Sequence, residues 1–259
     1  MSRKEFVTFE GKNVVVTGGA KGIGASIATG FAEVGANVCI TYLTNEAKAH
    51  DKVAELKAMG VDADAFKLDH SDPKQCEAVS KAIVKRFGRI DSLVNNAGTY
   101  PWCALMEITE KVWDDMFDTN TKGVFFFSQQ VAKRMIEAGT HGSIVCISSL
   151  SATNPTPFIM HYGMAKAAID MMIRCMAVEL GPHGIRVNGV APGVIDAPGI
   201  DDGVPEWRAR YSSRAPVGRF GKPEEIADAC IYLASSRASN ITGDIIQDSG
   251  GVLLAPAFL

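Results

Sequence analysis

Asn13-Val14-Val15-Val16-Thr17-Gly18-Gly19-Ala20-Lys21-Gly22-Ile23-Gly24 is the stretch on which the fold turns. Residues 13–17 are apolar and β-branched, the pattern of a short buried strand. Ile23, Ile27, Ala28, Phe31 and Val34 then recur at helical spacing, and Gly35 stops the helix. Asn37-Val38-Cys39-Ile40-Thr41-Tyr42 reads as a second strand. Strand, glycine turn, helix, strand is the unit on which a dinucleotide sits. Gly18, Gly22 and Gly24 let the chain turn sharply and let a pyrophosphate approach the backbone. The N–H groups and dipole at the helix start then favour the phosphates.

Working outward, strand candidates recur at 63–68, 90–95, 143–148, 185–190 and 243–248. Helices are expected at 23–34, 45–59, 73–87, 110–138, 162–181 and 223–235. This alternation predicts an α/β fold: a doubly wound parallel sheet with helices on both faces. With 259 residues the chain suits a single domain, residues 1–259, around one sizeable core. The stretch 194–216, with Gly199, Gly203, Pro205 and Pro216, reads as irregular and as a lid over substrate.

The net charge of −3 gives no reason to expect nucleic acid or an anionic membrane as partner. No run approaches the length of a membrane helix, and Met1 to Glu10 lacks the apolar stretch of a signal peptide. Six cysteines without CxxC pairs predict reduced thiols and a cytoplasmic protein. No His/Asp/Glu cluster has metal-ligand spacing, so no metal is expected.

The second informative stretch is Tyr162-Gly163-Met164-Ala165-Lys166, with Ser149 upstream. On a helix, residues four apart share a face. A free phenol titrates near pH 10, too high for a base at neutral pH. A nearby ammonium favours the phenolate, so Lys166 is expected to tune Tyr162 for proton exchange. Ser149 is placed to hold a substrate oxygen.

Several motifs together resemble the short-chain dehydrogenase/reductases. Thr17-Gly18-x-x-x-Gly22-Ile23-Gly24 fits that family's glycine turn, and Asn95-Asn96-Ala97-Gly98 its motif after the fourth strand. Asn120 fits its mid-helix asparagine, and Ser149 stands thirteen residues before Tyr162, the family's spacing. Pro192-Gly193 and the run from Gly218 to Ala227 match further on, so the likeness spans roughly residues 9 to 254. The resemblance implies a Rossmann-like fold and hydride transfer between a nicotinamide and a carbonyl or alcohol carbon. Asn120, Ser149, Tyr162 and Lys166 would form the catalytic set, with Asn120 holding a proton-relay water and Lys166 binding the nicotinamide ribose. Cofactor contacts would come from Gly18, Lys21, Gly22, Ile23, Gly24, Tyr42, Leu43 and Thr44. Asp69 and His70 would meet the adenine. Asn96, Ala97, Gly98, Pro192, Gly193 and Ile195 would complete the site with Tyr162 and Lys166.

The second strand ends Thr41-Tyr42-Leu43-Thr44, without the carboxylate that selects NAD. Lys21 is placed to pair with a 2′-phosphate, so NADP is expected, with NAD use left open. Trp102, Phe158, Met160, Trp207 and Tyr211 offer apolar pocket walls, and Ser151, Thr153, Asn154, Asp201 and Asp202 polar ones. That mixture fits a small ketone, sugar or polyol first and a 3-oxoacyl thioester second. A non-catalytic nucleotide sensor is the rival of another class, and the full catalytic set speaks against it. Apolar excess on 110–138 and 162–181 (Phe125, Phe126, Met171, Met172) predicts subunit contacts, and the resemblance implies a homotetramer.

Overall fold

The computed structural model describes residues 7–197 and 205–254. Among these, β1 (Asn13–Val16), β2 (Asn37–Tyr42), β3 (Ala63–Lys67), β4 (Ser92–Asn95), β5 (Ser143–Ile147), β6 (Arg186–Pro192) and β7 (Ile245–Asp248) form one sheet. Its order is β3-β2-β1-β4-β5-β6-β7, and every pair is parallel. The chain winds outward from the β1/β4 junction in both directions, which makes that junction the topological switch point.

The helices are α1 (Gly22–Glu33), α2 (Glu46–Ala58), α3 (Pro73–Phe87), α4 (Glu110–Phe117), α5 (Val124–Glu137), α6 (Met160–Leu180), α7 (Pro205–Arg214) and α8 (Pro223–Ala234). Local chemistry sets their starts: Asn45 caps α2 and Asp72 caps α3, each accepting a backbone N–H, with Pro73 in the first turn of α3. Alternate strand residues face opposite layers. Val14 and Val16 meet Ile27, Phe31, Leu56 and Ile226 on one side. Val15, Leu93 and Ile144 meet Ile83, Phe127 and Ile173 on the other. No helix among the described residues is long and apolar enough to cross a membrane.

Two expectations need correction. The helix expected over 110–138 is interrupted: Asp118–Gly123 forms a π-helical turn between α4 and α5. The segment expected to be irregular contains α7, whose start is supported by Pro205. Asp201, Asp202, Gly199 and Gly203 lie outside the described residues.

Candidate active site

The crevice at the β1/β4 junction is built by hydrogen bonds between the two loops that leave it. Thr17 Oγ1 accepts the N–H of Asn96 at 2.9 Å and that of Ala97 at 2.9 Å. The Asn96 side chain returns a bond from Nδ2 to Thr17 O at 3.0 Å. Gly18 and Gly22 adopt φ of +64° and +55°, the left-handed region that favours glycine. A Cβ on Gly24 would stand 2.3 Å from Gly18 O. A Cβ on Gly22 would meet nothing within 4 Å, so the turn is open there, at the first residue of α1. Lys21 is the N-cap residue; it makes no side-chain cap bond, and the first turn of α1 holds no acidic residue. The helix end is therefore suited to an anion such as a pyrophosphate.

At the outer end, Leu43 and Thr44 are exposed, and Tyr42 is half-buried. The Tyr42 phenol bonds Glu46, and its pKa is raised by burial first and by that carboxylate second. The carboxylate missing from the end of β2 is thus replaced nearby by one from the first turn of α2. Asp69 Oδ1 accepts from Ser71 N at 2.9 Å and Ser71 Oγ at 2.7 Å. The His70 ring is buried edge-on against Phe127, with centroids 5.4 Å apart. Burial pushes its pKa down to about 4, partly offset by the Gly123 backbone and Asp69. Gly123 lets the π turn press on His70, since a Cβ there would lie 2.5 Å from His70 O. On the far side, Gly193 N donates to Asp248 O at 2.8 Å. Ile195 is buried in the core and its segment bridges to Gly221, so any ligand contact at 195 falls to the main chain.

The structure brings Ser149, Tyr162 and Lys166 together at the end of β5. Ser149 Oγ hydrogen-bonds the Tyr162 phenol, and Lys166 Nζ lies 5.6 Å from the Tyr162 ring centroid. The expected tuning of Tyr162 is not what the electrostatics give. Burial dominates and raises the Tyr162 pKa, the Ser149 bond lowers it, and Tyr100 raises it further. The reason is where the ammonium goes: Lys166 Nζ donates to Ile147 O at 2.7 Å. Burial brings the Lys166 pKa down to about 8, with Cys146 and Asp170 acting in the opposite sense.

Asn120 lies in the π turn, fully buried. Its Oδ1 accepts from Thr99 N at 3.1 Å, and Nδ2 donates to Thr99 O at 2.9 Å and Met116 O at 3.2 Å. Gly98 makes this possible, because a Cβ there would lie 2.4 Å from Asn120 Oδ1. The amide thus clamps the loop after β4. A π turn of this kind is a frequent companion of functional sites.

The pocket residues divide. Tyr100, Trp102 and Phe158 are exposed, with Tyr100 6.2 Å from Tyr162 and Trp102 stacked on Phe158 at 6.3 Å between centroids. Phe158 has φ +65°, the one non-glycine residue in the left-handed region among those described. Met160 is exposed at the start of α6. Tyr211 is a strut rather than a free wall: its hydroxyl accepts from Val194 N at 2.9 Å and its ring packs on Phe220. Thr153 and Asn154 side chains bond Leu150 O within their own turn. Ser151 N donates to Ser149 Oγ at 3.1 Å. Arg208 pairs with Asp196 at 2.9 Å. Sequence reading missed Gly163, whose absent Cβ lets α6 approach Ser151 O, and Asp170, one turn beyond Lys166. The helical i,i+4 spacing from Lys166 was the available signal for Asp170.

Comparison with known proteins places this geometry. A family model described as enoyl-(acyl carrier protein) reductase matches residues 18–253. An L-rhamnose 1-dehydrogenase (NAD(P)(+)) of Sphingomonas is 37% identical over 94% of this chain and 96% of its own length. A 3-oxoacyl-[acyl-carrier-protein] reductase of Staphylococcus aureus is 38% identical over 94% of this chain and 98% of its own. The crystal structure of a short chain dehydrogenase from Burkholderia cenocepacia in complex with NADP superposes with a TM-score of 0.88. It is 32% identical and covers 94% of this chain and 98% of that one. With the same seven-stranded fold and likeness along nearly its whole length, this chain belongs to the short-chain dehydrogenase/reductase family of NAD(P)-dependent oxidoreductases.

Proposed function

We propose that the protein interconverts a small ketone and a secondary alcohol, sugar-like substrates included, with NADP(H) as its coenzyme. The observation that carries this reading is the convergence of Ser149, Tyr162 and Lys166 beside the open glycine turn. The bound nicotinamide supplies or accepts the hydride. In reduction, Tyr162 donates its phenolic proton to the carbonyl oxygen; in oxidation, its phenolate takes the alcohol proton. Burial, by raising the Tyr162 pKa, holds the phenol in the donor form. Ser149 bonds the substrate oxygen and stabilises charge developing there. Asn120 clamps the loop after β4 through Thr99, and the family resemblance implies that it also holds a water that relays protons to Lys166. Among the described residues of the expected lid, α7 is tied back to the loop after β6 by Tyr211 and Arg208, and it is the part we assign to covering substrate.

A second reading, reduction of a 3-oxoacyl thioester, is favoured by the matching reductase of Staphylococcus aureus. NADPH oxidation measured against panels of ketones, sugars and acyl thioesters, with NADH alongside, separates the two. In the same assay Tyr162→Phe should bind NADPH and lose about 10²-fold or more of kcat. Turnover near that of the wild type would remove Tyr162 from the reaction.

The outer face of α5 and α6 fits contact with another subunit, and the family resemblance points to a homotetramer. Phe125, Ile136 and Met171 are exposed there, around an apolar groove shared with Phe126, Met172 and Met176. A second copy of the same helices is the partner this face fits. The six free cysteines fit a reducing, cytoplasmic setting.

A further inference from the structure

Three consecutive residues at the end of β5 grip three successive turns of α6. Ser149 Oγ bonds Tyr162, and Ile147 O accepts from Lys166 Nζ at 2.7 Å. Between them, Ser148 Oγ donates to Asp170 Oδ1. Ser148 is 1% exposed, Asp170 8% and Lys166 5%, so none of the three is bathed by water. A buried carboxylate survives where hydrogen bonds and opposite charge support it. The catalytic reading has no use for this one, yet it lies on the lysine's face of the helix, one turn on.

We propose that Ser148 and Asp170 are positioning residues for the reaction: their buried hydrogen bond fixes the axial register of α6 against β5, and with it the places of Tyr162 and Lys166. The proposal rests on the hydride-transfer reading above. Tyr162, Lys166 and Asp170 rise on one helix face, and Ser149, Ile147 and Ser148 present their partners within three residues. A slip of α6 along its axis breaks all three bonds together. Burial works against the Lys166 ammonium, and Cys146 first and Asp170 second favour it. Lys166 is faced by Cys146 from β5 and by Asp170, and Asp170 by Ser148, Lys166 and Arg174. Tyr100, from the loop after β4, faces Tyr162. Among these groups Asp170 is the one carboxylate.

The test uses Asp170→Asn, which keeps the shape and can still bond Ser148 but carries no charge. Ser148→Ala removes only the hydroxyl. Without the carboxylate Lys166 gives up its proton earlier. The alkaline limb of kcat/KM for carbonyl reduction should therefore move to lower pH in Asp170→Asn. The pH above which NADPH binding weakens, followed by NADPH fluorescence, should move the same way without any turnover. In Ser148→Ala, kcat should fall roughly tenfold with little change in KM, the signature of lost alignment rather than lost binding. Superimposed pH profiles in Asp170→Asn together with kcat within about twofold of wild type in Ser148→Ala would overturn the proposal. Should Asp170→Asn fail to fold, the kcat and KM of Ser148→Ala decide alone. Failure of the hydride-transfer reading shows differently, as full turnover in Tyr162→Phe or absence of NADPH binding by the wild type.

Discussion

At the scale of single residues, two side chains make predictions of opposite kind. Lys21 is exposed at the N-cap of α1, and the carboxylate nearest the end of β2, Glu46, is taken up by the Tyr42 phenol. Lys21→Ala should raise KM for NADPH by about tenfold and leave KM for NADH nearly unchanged, as for a lost phosphate ion pair. Equal effects on both coenzymes in steady-state kinetics would remove Lys21 from phosphate recognition. His70 acts on stability instead. Its pKa is about 4 when folded against 6.5 in its ordinary state, because burial disfavours the imidazolium. The unfolded chain therefore takes up the proton first as pH falls. Stability should be unaffected by His70 above pH 6.5, then decline as pH drops from 6.5 toward 4. A shift of this size corresponds to about 3 kcal/mol. Urea denaturation of His70→Leu between those pH values should show a flatter pH dependence than the wild type. Both residues were legible as types in the sequence, but their surroundings were not. Nothing in Thr41-Tyr42-Leu43-Thr44 announces that Glu46 comes back against Tyr42. The Lys166–Tyr162 pairing was read from spacing, which carries no information on a competing acceptor such as Ile147 O.

At the scale of elements, the turn between α4 and α5 is the least ordinary. Periodicity over 110–138 is continuous, so a single helix was the natural expectation. A π turn shifts the apolar stripe by one residue, a change too small to separate from ordinary scatter in a helical pattern, which is why hydropathy missed it. Its effect is to seat Asn120 against Thr99 under Gly98. Gly98→Ala should force that clamp open, since its Cβ would intrude to 2.4 Å from Asn120 Oδ1. We expect kcat to fall by about tenfold or more while far-UV circular dichroism stays that of the wild type. Unchanged turnover would show that the loop after β4 tolerates a new position. The strands, by contrast, were found to within two residues at nearly every end. The apolar runs of β1, β4 and β5 are buried along their whole length, and no other element type fits such short runs between turns. The helix α7 escaped because its segment is polar and bounded by glycine and proline.

At the scale of the whole molecule, the decisive property is one uninterrupted sheet with two unequal coverings. One layer is sealed by α1, α2 and α8. The other ends in α5 and α6, whose outer faces leave Phe125, Met171 and Val178 in water. Met171→Glu, alone or with Phe125→Glu, should shift the mass measured by light scattering to dimers or monomers. A wild-type monomer would overturn the oligomer altogether, and an unaltered tetramer in the double variant would place the contact elsewhere. Alternation of strands and helices made the sheet readable before any coordinates. Subunit number was not readable, because apolar excess says that a face is covered and not how many copies cover it.

The Thr17 hydroxyl accepts from two successive amides of the neighbouring loop, and Asn96 closes the stitch from the other side. Both lips of the crevice are thereby sewn to adjoining strands, whose separation is a constant of backbone geometry near 4.8 Å. Mutation can change what lines the gap, but its breadth is dictated by the weave of the sheet. Engineering toward bulkier coenzyme mimics would accordingly have to work at the ends of the cleft, where loops are free to yield, and not at its waist.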